Sequence, residues 1–375
     1  MRILSPIAGP DEAAPLIEGG ADEFYCGIYP EQWYERWGRG AWPNRRGPGP
    51  ANLETLDELR ALASAVHGDS DGPRSGEKRA DLYAAFNQQY YPDDQAEFLL
   101  EIAATIWNAG AIDAFIVTDP GFMASLRQAV PDIRIFASTV SVALNADTVR
   151  FFEDIGCERT ILSRHMELKE IAALRDAVPD AHLEVFLMND NCYFEEGFCS
   201  TTHTMPGFGV YCMTPWELRI LAEPDQPGQE PAQAITDPEE RARWDFLVEE
   251  HREYIRHLGS RGHGEGRTAM PLGPCGLCAI PELMDLGIHS GKIVGREANL
   301  FRKIRSVQGV RYIRDLYAET GDKATVKRAA VELRGDATGC SAGYSCYYRS
   351  ARDRSLIPVP SRPRGPKRPP KGGRR

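Results

Sequence analysis

Residues 159–188 run RTILSRHMELKEIAALRDAVPDAHLEVFLM. "RTILS" and "LEVFLM" are short apolar runs of strand character, and "MELKEIAALRDAV" between them repeats its apolar residues at helical spacing. A helix joining two short strands makes a crossover, and a crossover joins strands that run parallel. The unit recurs upstream. "RILSPIA", "DEFYCGI", "LYAAFN", "AIDAFIVTD" and "IRIFAS" read as strands, followed in turn by the helical stretches "DEAAPLIEGG", "LETLDELRALASAVHG", "DQAEFLLEIAATIWNAG", "GFMASLRQAV" and "NADTVRFFEDIG". Seven strands therefore precede Asn189, and an eighth, "SGKIVG", occupies 290–295. About eight βα units predict an α/β fold of the (β/α)8 TIM-barrel-like kind, with a doubly wound open sheet as the alternative. No G-x-G-x-x-G follows the first strand, so a dinucleotide-binding fold has little support.

The barrel pattern covers residues 1–350 as one domain, with an insertion at about 217–268 and a tail at 351–375. In the insertion, Asp237 suits a helix N-cap, Pro238 the first helical position and Glu240 a capping box; Trp244, Leu247, Val248, His251, Ile255 and Leu258 share a face, and Gly259 is expected to end the helix. Residues 69–80 read as a surface loop. The tail holds nine Lys or Arg against one Asp over 352–375, too polar for a core, and is expected to be a disordered, solvated segment or a weak electrostatic tether to nucleic acid or an acidic partner. The whole chain is nevertheless acidic, at −10, which argues against a broad nucleic-acid footprint. No apolar run approaches the roughly 20 residues that span a bilayer. The opening "MRILSPIAGP" lacks the apolar region of a secretion signal, so a cytoplasmic protein without a membrane span is expected.

Chemistry on such a barrel belongs where strands end. Asn87, Asp119, Ser138, Thr139, Ser163, Arg164, Asn189 and Cys192 all fall there, each readable alone as a cap or loop residue and together as a pocket lining. Arg164, Lys292 and Arg296 at or near strand ends suggest a pocket for an anionic ligand, since guanidinium groups grip carboxylates; structural ion pairing is the competing reading.

Nine cysteines are present. Cys26 and Cys157 have core-like neighbours and read as ordinary buried thiols. The other seven lie in polar, Gly/Pro-rich surroundings. Cys192, Cys199, Cys212 and the Cys275/Cys278 pair are the candidate ligands. Four thiolates can hold zinc or an iron–sulfur cluster. Zinc prefers knuckles spaced as Cys275 and Cys278 are, while the six-residue gap between Cys192 and Cys199 suits a loop-wrapped cluster, so spacing leaves zinc, iron–sulfur and unligated thiols open. Cys340 and Cys346, in "GCSAGYSCYYR", read as unligated loop thiols, or as an additional ligand or second metal site.

"LEVFLMNDNCYFEEGFCS" resembles the signature of peptidase family U32, with Glu184, Phe186, Cys192, Cys199 and Ser200 at its marked positions. "PIAGPDEAAPLIEGGADEFYCG", "AIDAFIVTDPGF", "STVSVALN", "RTILSRHMEL" and "LCAIPELMDLGIHSGKIVGR" resemble further family segments, over roughly residues 1–350 without the insertion. Two acidic family positions are replaced, by His165 and Val294. The resemblance implies an iron–sulfur, oxygen-independent hydroxylase, with a 4Fe-4S cluster on Cys192, Cys199, Cys212 and Cys278 and with prephenate as oxygen donor. Cys278 is preferred over Cys275 because it occupies the family's Leu-Cys position. A small, aromatic substrate is the expected one, and an RNA-modifying hydroxylase the alternative. Further alternatives are a non-catalytic, cluster-bearing partner subunit and a peptidase, and the expected assembly is a homo-oligomer or a heteromer with a paralogous subunit. A peptidase would need an activated nucleophile; Ser200 and His203 are close in sequence, but no third group or oxyanion motif accompanies them.

Overall fold

In the computed structural model, the quoted unit folds as β7 (Cys157–Ile161), α7 (Leu168–Ala177) and β8 (Leu183–Met188), with Thr160 paired to Leu183 and Ile161 to Glu184 in parallel register. The structure describes residues 1–68, 79–189, 192, 197, 237–261 and 268–357. The remaining strands are β1 (Arg2–Pro6), β2 (Glu23–Ile28), β3 (Asn52–Leu53), β4 (Asp81–Phe86), β5 (Ala114–Val117), β6 (Ile135–Ala137) and β9 (Ser290–Ile293). Every pairing is parallel, and the order β1-β9-β8-β7-β6-β5-β4-β2 closes through β1–β2 into an eight-stranded barrel, with β3 added beside β2. Closure rules out the open sheet. The eight barrel strands are the eight read from the sequence.

The helices between them are α1 (Ala13–Gly19), α2 (Glu31–Trp37), α3 (Leu56–His67), α4 (Asp93–Asn108), α5 (Pro120–Ala129) and α6 (Ala146–Asp154). Side-chain caps start several of them. Thr55 and Glu58 form a reciprocal capping box on α3, Asp119 accepts from Gly121 and Phe122 on α5, and Asn145 accepts from Thr148 on α6. Their apolar faces pack on strands buried along almost their whole length.

The inserted helix, α8 (Pro238–Arg261), begins as expected, with the Asp237 carboxylate accepting from Glu239 and Glu240 at 2.9 and 2.8 Å. It does not stop at Gly259 but continues to Arg261. Trp244 and Val248 on its expected apolar face are half-buried. α9 (Ile280–Asp285) precedes β9, and α10 (Leu300–Thr320), α11 (Lys323–Arg334) and α12 (Ala337–Ala342) follow it. Most of the loop at 69–80, much of the insertion and the tail from 358 lie outside the described residues.

Candidate functional site at the barrel mouth

The barrel interior is filled by charge. Glu23 opens β2, Arg159 lies in β7, Glu184 in β8, and Ser290 and Lys292 in β9; all five are buried. Arg159 donates to Glu23 at 2.7 and 3.1 Å and to Glu184 at 3.0 Å, while Lys292 donates to Glu184 at 3.0 Å. Ser290 and Tyr83 each add a 2.7 Å hydrogen bond to Glu23. Burial alone would raise the Glu23 carboxyl, but the Arg159 charge and hydrogen bonds overcome it and hold the group at about 2. Burial likewise pulls the Lys292 ammonium down, with Glu184 opposing it. Lys292 also stands 4.1 Å from the centre of the Tyr25 ring.

Above this plug, at the C-terminal strand ends, stand Arg164 and Arg296. The Arg164 guanidinium lies 4.3 Å from the Phe186 ring centre. Arg296 is buried and donates to Asn44 at 2.7 Å, Asn52 at 3.3 Å and the Ala51 carbonyl at 3.1 Å, all neutral acceptors. Burial lowers it to about 10. Gly27 makes room for it, because a β-carbon there would lie 1.4 Å from Arg296 Nη1. The three cations expected to share a pocket thus have separate surroundings: Lys292 is an ion-pair member of the plug, Arg164 stacks on an aromatic ring, and Arg296 is held by Asn side chains.

Several other polar strand-end residues prove to be local fasteners. Asn87 accepts from the Arg45 amide, Asp119 and Ser138 cap the helices that follow them, Thr139 donates to the Leu162 carbonyl, and Ser163 accepts from the His165 amide. Asn189 differs. It ends β8 at φ 75°, and its amide donates to Ser306 at 2.9 Å. Beyond it, Cys192 is half-buried. Gly197 accepts from Gln89 at 2.6 Å and leaves no space for a side chain, since a β-carbon would meet Val142 at 1.8 Å. Cys199, Cys212, Ser200 and His203 lie outside the described residues.

A second set of thiols gathers beside the β8 end. Cys275 bridges Met188 on one side and Cys346 on the other. Cys275, Cys278, Cys340 and Cys346 line one cavity, together with Lys327, Arg334 and Tyr348. Burial, and after it the proximity of Cys275, pushes up the thiols of Cys278, Cys340 (to about 12) and Cys346 (to about 11). Of the two readings of Cys340 and Cys346, the structure places them in a shared cavity with Cys275 and Cys278 rather than on a separate loop, and the C-x2-C of 275–278 and C-x5-C of 340–346 are the signals for it. Cys26 and Cys157 are buried core thiols, as expected.

The fold and mouth together define a (β/α)8-barrel protein with buried cations and clustered thiols at the C-terminal strand ends. The sequence matches the model of peptidase family U32 over residues 10–355, and the chain belongs to that family. Among its relatives, the "tRNA hydroxylation protein P" of Escherichia coli (strain K12) is 28% identical over 217 residues, covering 52% of this chain and 47% of the relative. The protein of the same name from Helicobacter pylori (strain ATCC 700392 / 26695) is 31% identical over 199 residues, covering 53% and 42%. The "23S rRNA 5-hydroxycytidine C2501 synthase" of E. coli is 26% identical over 208 residues, covering 55% and 27%. The chain thus spans less than half the length of each of these curated relatives. No helix among the described residues is long and apolar enough to cross a membrane.

Proposed function

We propose that this chain is a hydroxylase that modifies a base in RNA. The observation that carries the reading is the set of relatives named for tRNA hydroxylation and for 5-hydroxycytidine synthesis in 23S rRNA. This reverses the expected order, in which a small aromatic substrate comes first. The acidic total that counts in favour of that order is a sum over the whole surface. RNA binding needs only a local cationic path for phosphates and a pocket for one unstacked base. Arg45, Arg46 and Arg302 contact Asn87, Glu297 and Asn189, which follow β4, β9 and β8, and so stand near the C-terminal strand ends where Arg164 and Arg296 lie.

With this function goes an iron–sulfur cofactor, which would supply one-electron chemistry. The donor chemistry fits: soft thiolates suit iron–sulfur centres, and buried, mutually repelling thiols need a cationic core to ionise. The chain's own residues would bind the base, fix its orientation and exclude water. A carboxylated oxygen donor such as prephenate, in place of molecular oxygen, is proposed to meet Arg296 or Arg164.

The test is anaerobic incubation of the iron-loaded protein with tRNA and ribosomal RNA and isotope-labelled prephenate, followed by nucleoside mass spectrometry. A hydroxynucleoside carrying the label is expected. Hydroxylation of a free aromatic acid with none on RNA would restore the small-molecule reading. Peptide cleavage that persists without iron, and with Cys192→Ala fully active, would point to a peptidase instead.

A further inference from the structure

We propose that Cys275, Cys278, Cys340 and Cys346 form a four-thiolate site that holds an iron–sulfur cluster. The four side chains come from two segments far apart in sequence, yet they line a single cavity. The convergence is built into the backbone. The Cys275 amide donates to the Ser345 carbonyl at 2.8 Å, and the Tyr347 amide donates to the Cys275 carbonyl at 3.1 Å, so the two cysteine segments run as a short parallel pair. Tyr348 then ties the C-terminal segment to the Phe186 carbonyl of β8 at 2.9 Å. Arg334 donates to the Pro271 and Gly273 carbonyls and fixes the approach to Cys275. The Cys340 amide donates to the Asp336 carbonyl at 3.0 Å, while Arg352 donates to the Cys340 carbonyl at 3.0 Å. Thiols on a merely mobile loop would have none of this support.

Four thiolates can hold zinc or an iron–sulfur cluster. Among the described residues, no three His, Cys, Asp or Glu side chains stand close enough to share one metal ion. The choice of a cluster comes from the iron–sulfur part of the proposed function, and zinc is the competing outcome of the test. Lys327 and Arg334 on the cavity wall suit the negative charge of a tetrathiolate cluster. On loading, the four thiols give up their protons.

This assignment takes Cys278 out of the set with Cys192, Cys199 and Cys212 and makes the choice between Cys275 and Cys278 unnecessary. It rests on the iron–sulfur part of the proposed function and not on the RNA part.

The experiment is differential alkylation of the full chain isolated without oxygen, with peptide mapping before and after iron is stripped by a chelator and oxidant, alongside iron, sulfide and zinc analysis. Cys275, Cys278, Cys340 and Cys346 should gain label together, by ten-fold or more, as iron leaves. Cys26 and Cys157 should stay unlabelled in both states, which separates ligation from burial. The double substitution Cys340→Ser with Cys346→Ser should abolish this iron-dependent protection at Cys275 and Cys278, and Cys192→Ser should leave it intact. Equal labelling of the four before and after stripping, or stoichiometric zinc released from them instead of iron, overturns the assignment. Hydroxylated RNA from protein whose four thiols are open would sink this site and leave the RNA reading standing. A cluster on these four without any hydroxynucleoside would do the reverse.

Discussion

Gly27 and Arg296 show how closely single atoms are matched at the mouth. A β-carbon on Gly27 would overlap Arg296 Nη1 and sit 2.2 Å from Asn52 Oδ1, so Gly27→Ala must push the guanidinium off its Asn acceptors. Losing hydrogen bonds to a buried charged group costs about 1.5–3 kcal/mol. Urea denaturation should show a loss of that order, and an unchanged midpoint would mean that Arg296 has another stable position. Glu23 sets an acid limit. Its carboxyl ordinarily titrates near 4.5 and is held at about 2 in the fold. A depressed carboxyl contributes fully above its unfolded value, and the contribution drains as pH falls from 4.5 towards 2. At about 1.4 kcal/mol per pKa unit the drain is ~3 kcal/mol. Urea midpoints measured from pH 7 to pH 2 should trace it. Glu23→Gln should flatten that limb and also weaken the fold at pH 7, because Arg159 stays buried with a carboxylate partner removed.

At the level of elements, the end of β8 carries the sharpest constraint. Asn189 adopts a left-handed φ of 75°, and its side chain anchors Ser306 of α10. Asn189→Ala loses the anchor and keeps a β-carbon in a disfavoured conformation; Asn189→Gly loses the same anchor without that penalty. The alanine variant should therefore be the less stable by about 1 kcal/mol in thermal or urea melts, and the reverse order would show that the side-chain bonds dominate. Elements differ equally in how readable they are. The eight barrel strands stand out as short apolar runs buried on both faces, and α3 to α7 as stretches with apolar residues at helical spacing. The long α10 does not. Its buried face includes Lys303, Ser306 and Gly309, while Phe301 and Tyr312 are exposed, so its apolar residues trace no single stripe. Lys303 is accommodated only because Glu12, from the other end of the chain, meets it at 2.8 Å. A contact of that range leaves no periodic mark in sequence.

For the molecule as a whole, a local pattern revealed the barrel, and long-range closure hid part of the site. Glu184 and Lys292 are visible as strand residues, but their pairing across the β8–β9 seam follows only from register. Cys340 and Cys346 look like thiols of a terminal loop until the strand-like pairing of Cys275 with Cys346 brings them to β8. The closed ring of strands has a further consequence, in time. β2 begins only 17 residues after Pro6 (23 − 6), but the other neighbour of β1, β9, begins 284 residues after it (290 − 6). At about 5–20 residues per second, one side of the first strand waits roughly 15–60 s for its partner. Any sheet that forms in that interval keeps two bare edges, the state in which strands recruit the wrong chain. Its exposure to misassembly is therefore set by the pace of translation between the first strand and the last.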